Sequence, residues 1–318
     1  MPSCPTTPTG YAPWGLDLEP ERLGLVPLVV TTAVGPVLVH HDPRRGGRRG
    51  RRATVLLHGA AGSWTTWTPL LRAAREVGAP VDRPVLVDLP GWGGSPAPVA
   101  PLSLDDAVDV VVRVAEELGA TELEVVGHSL GGSVALQLAA ARPDLVTGVG
   151  VVSGTTFAAI DAVRDPWRGL RRLPAFTLLR AAFAVVPDAA PVLLRAATRL
   201  GLLRALSAPV FRHVRAVDRG VLEAFVAEIR PRAFLDAARS GRTLGTEAWA
   251  RIQSPVVAVS GADDAFARHD DLDRLVALVP RARAVLLPDC GHFAHVERPE
   301  ETLAALRAGG VAEATRAS

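Results

Sequence analysis

The chain has 318 residues, 48% of them hydrophobic, with 35 basic and 33 acidic side chains and a formal net charge of +2. That balance excludes a disordered chain and offers no electrostatic footprint for nucleic acid, which leaves a small molecule as the expected partner. Every basic residue is Arg, and the sequence holds neither Lys nor Asn, which removes Schiff-base lysines, phosphate-loop lysines, Ser-Lys dyads and Cys-His-Asn triads.

Residues 1–20, beginning "MPSCPTTPTGYAPWG", lack the basic-then-apolar order of an export signal and read as a flexible lead, with Tyr11 outside the core. Cys4 and Cys290 lie far apart and have no metal-ligand spacing. They suggest no disulfide framework, a reducing cytoplasmic setting and no metal. Two short apolar runs, "PLVVTTA" and "GPVLVHH", read as strands paired across Val34 and Gly35, and the run Arg44 to Arg52 that follows reads as a solvated connection. Next come "ATVLLHG", "PVLVDLPG", "LEVVGHS" and "VTGVGVVSG", each followed by a helical pattern. Such alternation predicts a largely parallel sheet with helices on both faces.

From Thr156 to Ala250 the strand pattern stops, and Leu/Ala/Arg helical segments are punctuated by six prolines. We expect residues 156–250 to form a helical cap on an α/β core made of 21–155 and 251–318. The apolar stretch Leu173 to Leu194 is broken by Arg180, Pro187 and Asp188, short of the ~20 residues that span a bilayer. A soluble protein with no integral membrane segment is expected. Strands return with "PVVAVSGADD" and "RAVLLPDCGHF", and "RPEETLAALRAGG" reads as the last helix.

The stretch "VVGHSLGG" puts Ser129 where a strand ends and a helix begins, with Gly127 and Gly131 two residues to either side. Small residues at those positions let strand and helix pass closely while the serine is lifted above the sheet. A serine hydroxyl attacks only when a base takes its proton and a carboxylate orients that base. The backbone N–H of Leu130, next in the chain, can stabilise a developing oxyanion.

Together "LLHGAAGSW" (Leu56 to Trp64), "DLPGWGGS" (Asp88 to Ser95), "GHSLGG", "GADD" and "CGHF" resemble, in order, the motifs of the α/β-hydrolase superfamily, in its serine-nucleophile branch with a helical cap. The resemblance runs from about Thr31 to Gly310. It implies an eight-stranded-type, mostly parallel sheet, no cofactor, Ser129 as nucleophile, His292 as general base and acid, and Ala60 as the second oxyanion donor. The acid falls three residues after Gly261, at Asp264, with Asp263 as the alternative. Arg268 stands where such relatives often carry proline. Among the other histidines His295 is the runner-up, whereas His58 and His128 are expected to be structural or to line the pocket. Cys290 is expected to be packed and inert.

Serine at this position argues against dehalogenases and epoxide hydrolases, whose capped relatives attack with Asp. An apolar carboxylic ester or thioester is the expected substrate. Carbon–carbon bond hydrolases, expected to resemble this chain less, perhydrolase-like enzymes and a ligand-sensing protein on the same fold remain alternatives. Amphipathic cap helices either cover the core or roof an acyl pocket. The pocket reading draws on Trp64, His128, Trp167, Phe176, Phe183 and Phe293.

Overall fold

A computed structural model describes residues 7–43 and 52–314. Cys4 and the arginine-rich run other than Arg52 lie outside the described residues. The strands are β1 (Val26–Thr32), β2 (Gly35–His41), β3 (Arg52–Leu57), β4 (Pro84–Val87), β5 (Glu122–His128), β6 (Val146–Val152), β7 (Val256–Gly261) and β8 (Ala282–Leu287). They form one sheet in the order β1-β2-β4-β3-β5-β6-β7-β8. The hairpin partners β1 and β2 are antiparallel, with Val30 opposite Val37, and β2 runs antiparallel to β4. From β4 through β8 every pairing is parallel.

The helices are α1 (Thr68–Glu76), α2 (Leu104–Glu117), α3 (Leu130–Ala141), α4 (Phe157–Arg164), α5 (Pro166–Arg172), α6 (Pro174–Val185), α7 (Ala190–Arg199), α8 (Leu203–Ser207), α9 (Arg219–Ala227), α10 (Pro231–Ser240), α11 (His269–Leu278), α12 (Ala294–Glu297) and α13 (Pro299–Arg307). Central strands such as "VVAVSG" in β7 are buried along their whole length, because both faces of a parallel sheet are covered and no polar alternation is needed. Side chains still alternate between the two sides. Leu57, Val125, Val149 and Val256 join α2, α3 and Leu275 of α11 in one apolar cluster, and Leu56, Val126, Val152 and Val257 join α1 and α13 in the other. At the edges, β1 and β8 leave part of their surface open.

Between β6 and β7 the chain forms α4 to α10 and a 3-10 turn, Thr246–Arg251, with no strand. Their interior cluster includes Val163, Phe176, Phe211 and Phe225 and reaches Phe293 on the loop after β8. The N-terminal segment differs from its expected looseness: Tyr11 is only 6% exposed. Its hydroxyl donates to Glu297 Oε2 at 2.6 Å, and the Ala12 N–H donates to the Glu297 carbonyl at 2.7 Å. A lone tyrosine among Pro, Thr and Gly carries no periodicity, so only its tertiary partners reveal its burial. Among the described residues no single helix is long and apolar enough to cross a membrane.

Candidate active site

Ser129 follows β5 and precedes α3 with φ 52° and ψ −115°, a conformation that costs a non-glycine residue about 1–3 kcal/mol and persists only where surroundings enforce it. Three bonds do so here. The Ser129 N–H donates to the Val152 carbonyl (3.0 Å), and its carbonyl accepts from the N–H groups of Gly132 (3.0 Å) and Thr155 (3.2 Å). A Cβ on Gly127 would lie 2.0 Å from the Gly131 carbonyl oxygen, and one on Gly131 would lie 2.3 Å from that of Leu57. Both glycines are therefore demanded by backbone contact.

Loops after β7 and β8 bring two further groups to this turn. His292 Nε2 accepts from the Ser129 hydroxyl at 3.0 Å, and His292 Nδ1–H donates to both Asp264 oxygens at 2.9 Å. Asp264 Oδ1 also accepts from the N–H groups of Phe266 (2.7 Å) and Ala267 (2.9 Å). The carboxylate thus closes its own turn through these two bonds. Asp263 points elsewhere, to Arg212 Nε at 3.2 Å, with both side chains about one-third exposed.

The histidine loop is held from behind by a residue that sequence reasoning passed over. Glu297, fully buried, accepts on Oε2 from Tyr11 O–H (2.6 Å), Arg212 N–H (2.9 Å) and Gly291 N–H (2.9 Å), and on Oε1 from Phe293 N–H (3.0 Å). Burial raises its carboxyl above the ordinary range, and the donated bonds oppose that rise. Gly291 and Phe293 flank His292, so this one carboxylate grips the loop on both sides. The Tyr11 phenol, pushed up by burial, stays a donor to it.

Three further histidines, His58, His128 and His295, lie around the site, and burial disfavours the charged form of each. His128 Nε2–H donates to the His292 carbonyl (2.9 Å), and burial holds its pKa well below the usual value. His58 Nδ1–H donates to the Gly59 carbonyl (2.7 Å), and its Nε2 accepts from the Leu89 N–H (2.9 Å). Desolvation pushes it down to about 4. His295, packed between Trp67 and His128, is pushed down to about 3 by burial, and among the described residues neither ring nitrogen has a partner. Cys290 is wholly buried, and its thiol is pushed up by loss of water. No group of three metal-ligating side chains occurs among the described residues.

Ala60 and Leu130 both line the cavity above Ser129, and among the described residues neither amide N–H meets an acceptor. Leu130 opens α3, where the first N–H groups have no intrahelical partner. The Ala60 carbonyl is held by Trp92 Nε1–H at 2.9 Å, a support the "DLPGWGGS" motif contained without announcing. An arrangement of serine, imidazole, carboxylate and two free N–H groups can perform acyl transfer.

The cavity has a volume of about 450 Å³. His128, Phe176, Phe183 and Phe293 line it, joined by Phe225, Ile229, Phe234 and Phe266, which the sequence reading did not select. Among the described residues no Asp, Glu or Arg side chain lines it. Two expected pocket residues lie elsewhere. Trp64 is buried against His40, 4.2 Å between ring centroids, with its backbone N–H donated to Asp88 Oδ1. Trp167 is 77% exposed on α5. Composition identified both as large and apolar, but the direction each faces is set by packing.

A fold of this topology with a serine on the turn after β5 defines a hydrolase class, and the family model described as alpha/beta hydrolase matches residues 54–306. The chain belongs to the alpha/beta hydrolase family. It is 29% identical over 260 residues to the 2-hydroxy-6-oxononadienedioate/2-hydroxy-6-oxononatrienedioate hydrolase of Burkholderia vietnamiensis, covering 79% of this chain and 84% of that one. The expectation that carbon–carbon bond hydrolases resemble this chain less is therefore corrected. In structure it is similar to a hydrolase from Pseudomonas aeruginosa (TM-score 0.67, 21% identity, 89% and 97% of the two chains). It is also similar to an esterase from Exiguobacterium antarcticum (TM-score 0.66, 14% identity, 89% and 98%). At those identities the structures establish the shared fold alone.

Proposed function

We propose that the protein hydrolyses apolar carboxylic esters through an acyl-enzyme. In this reading Ser129 Oγ attacks the ester carbonyl while His292 Nε2 takes its proton, and the N–H groups of Ala60 and Leu130 receive the oxyanion. His292 then returns the proton to the departing alcohol. A water molecule, deprotonated by the same imidazole, releases the acid and restores Ser129. Asp264 keeps Nδ1 protonated and Nε2 free to accept throughout. The helices α4 to α10 serve as a cap that shields the acyl chain from water.

The observation that carries this reading is the Ser129–His292–Asp264 chain of contacts at the foot of a cavity that, among the described residues, no Asp, Glu or Arg side chain lines. The second reading, cleavage of a carbon–carbon bond in a dienedioate, draws on the 29% identity to the Burkholderia vietnamiensis hydrolase. A dioate carries two carboxylates, and burying them without cationic partners is strongly unfavourable. This chain has abundant arginine, and among the described residues none reaches the cavity wall. The apolar ester is thus the better fit.

Turnover of p-nitrophenyl esters from acetyl to octanoyl, beside a 2-hydroxy-6-oxononadienedioate, tests the two readings. The ester reading expects steady turnover, with kcat/KM climbing up to about fourfold per added methylene, and a fluorophosphonate label on Ser129. Phe176→Ala or Phe183→Ala should flatten the climb while acetyl ester hydrolysis survives. Faster turnover of the dienedioate, or an acetyl preference that decays with chain length, would refute it. A single acylation without turnover would instead favour a sensor.

A further inference from the structure

A surface helix usually hides its apolar side, and α6 has two such sides. Phe176, Leu179 and Phe183 line the cavity. On the outside Pro174, Leu178, Ala181 and Val185 follow one another at i, i+4, i+7 and i+11, all exposed, with Leu178 59% and Val185 80% open. On α7, Val192 and Leu193 are exposed, as is Leu200 just beyond it. Of the fifteen large apolar side chains exposed among the described residues, nine fall between Trp167 and Leu202, so the patch is concentrated and not scattered.

The charge of the same stretch is predominantly positive. It holds six arginines and a single acidic residue, Asp188, which is engaged by Arg232 of α10. Among the described residues Arg171, Arg195 and Arg199 have no carboxylate partner and stand exposed. Because α6 and α7 meet at a bend of 113°, they form a corner and not one straight span. Leu178 is both exposed and part of the cavity lining, so the cavity opens on this face.

We propose that the outer face of α5, α6 and α7 docks on an anionic phospholipid bilayer. Its apolar side chains enter the headgroup boundary, its arginines meet lipid phosphates, and the ester passes from the bilayer past Leu178 to Ser129. Charge complementarity selects this occupant, since a second copy of the chain would set arginines against arginines. Docking stands on the exposed face alone, and only the delivery of substrate rests on the ester reading above.

Flotation of the full chain with phosphatidylcholine vesicles, with and without phosphatidylglycerol, tests the surface without requiring turnover. The parent should float with the anionic vesicles and much less with the neutral ones, and added salt should release it. Arg195→Gln with Arg199→Gln should weaken binding about fivefold per arginine, or about 25-fold together. Leu193→Ser with Leu200→Ser should also reduce it, with unchanged circular dichroism showing that the fold is intact. Binding that ignores lipid charge and both double variants would overturn the proposal. So would a parent dimer in sedimentation that the leucine pair converts to monomer. A parent that floats yet hydrolyses no ester would keep the surface and reject the reading of the site.

Discussion

Asp264 is enclosed, with both oxygens 2.9 Å from His292 Nδ1, while its neighbour Asp263 meets Arg212 in a half-open ion pair. Changing Asp264 to Asn presents an amide to Nδ1 and favours the tautomer whose Nε2 carries the proton and cannot accept from Ser129. That should lower kcat on the order of 10⁴-fold, the loss seen when the equivalent carboxylate of serine proteases is amidated. Asp263→Asn removes an ion pair worth about 0–1 kcal/mol and should leave kcat near the parental value. Steady-state kinetics on p-nitrophenyl butyrate separate the two, and equal losses would sink the assignment.

Two elements meet at the turn between β5 and α3, and the contact is made by backbone atoms that cannot move aside. Gly131→Ala forces a Cβ to 2.3 Å from the Leu57 carbonyl oxygen, so strand β3 or helix α3 must shift. Overpacking of this kind should cost about 1–3 kcal/mol of stability in urea unfolding, and kcat should fall as Ser129 leaves its position. Behind the histidine loop, Tyr11 ties the N-terminal segment to Glu297 and accepts from the His213 N–H at 2.9 Å. Tyr11→Phe leaves that N–H without its acceptor and Glu297 with one donor fewer. The loss should be about 1.5–3 kcal/mol, the range for hydrogen bonds to charged groups. An unfolding midpoint identical to the parent's would show that the segment does not brace the loop.

At the scale of the whole molecule, the buried neutral histidines make stability depend on pH. His58, His128 and His295 have pKa values lowered by burial, to about 4 for His58 and about 3 for His295. Below pH 6.5 the unfolded chain takes up protons that the folded chain refuses, so stability is lost as pH falls through that window. The carboxyls of Glu297 and Asp88 are raised by burial and act with the opposite sign. A comparison that isolates one ring is therefore needed. His295→Phe, at a site packed on Trp67 with no hydrogen bond to lose among the described residues, should be less acid-sensitive than the parent. The difference should reach about 2 kcal/mol at pH 5 relative to pH 8, measured by urea unfolding at each pH. Parallel curves would mean that His295 is not the neutral, water-free ring described.

The alternation of strand and helix was legible from the chain alone, because side-chain period and glycine punctuation are local properties. It also placed Ser129 at a strand end, since the two glycines around it answer a steric demand within five residues. Helical spacing was enough to bring Phe176 and Phe183 to notice. The tertiary structure alone decided which way large side chains face: Trp64 turned to His40, Trp167 to solvent and Tyr11 inward. It decided between Asp263 and Asp264 as the partner of His292, because the choice rests on N–H groups of Phe266 and Ala267 folding back on one carboxylate. Glu297 is the extreme case. Two of its four donors, the Gly291 and Phe293 N–H groups, are near in sequence, but the Tyr11 hydroxyl and the Arg212 N–H come from far along the chain, and no local pattern can bring those two to it. The exclusion of arginine from the cavity has the same origin, for composition counts charges while only packing assigns them to solvent or to the site.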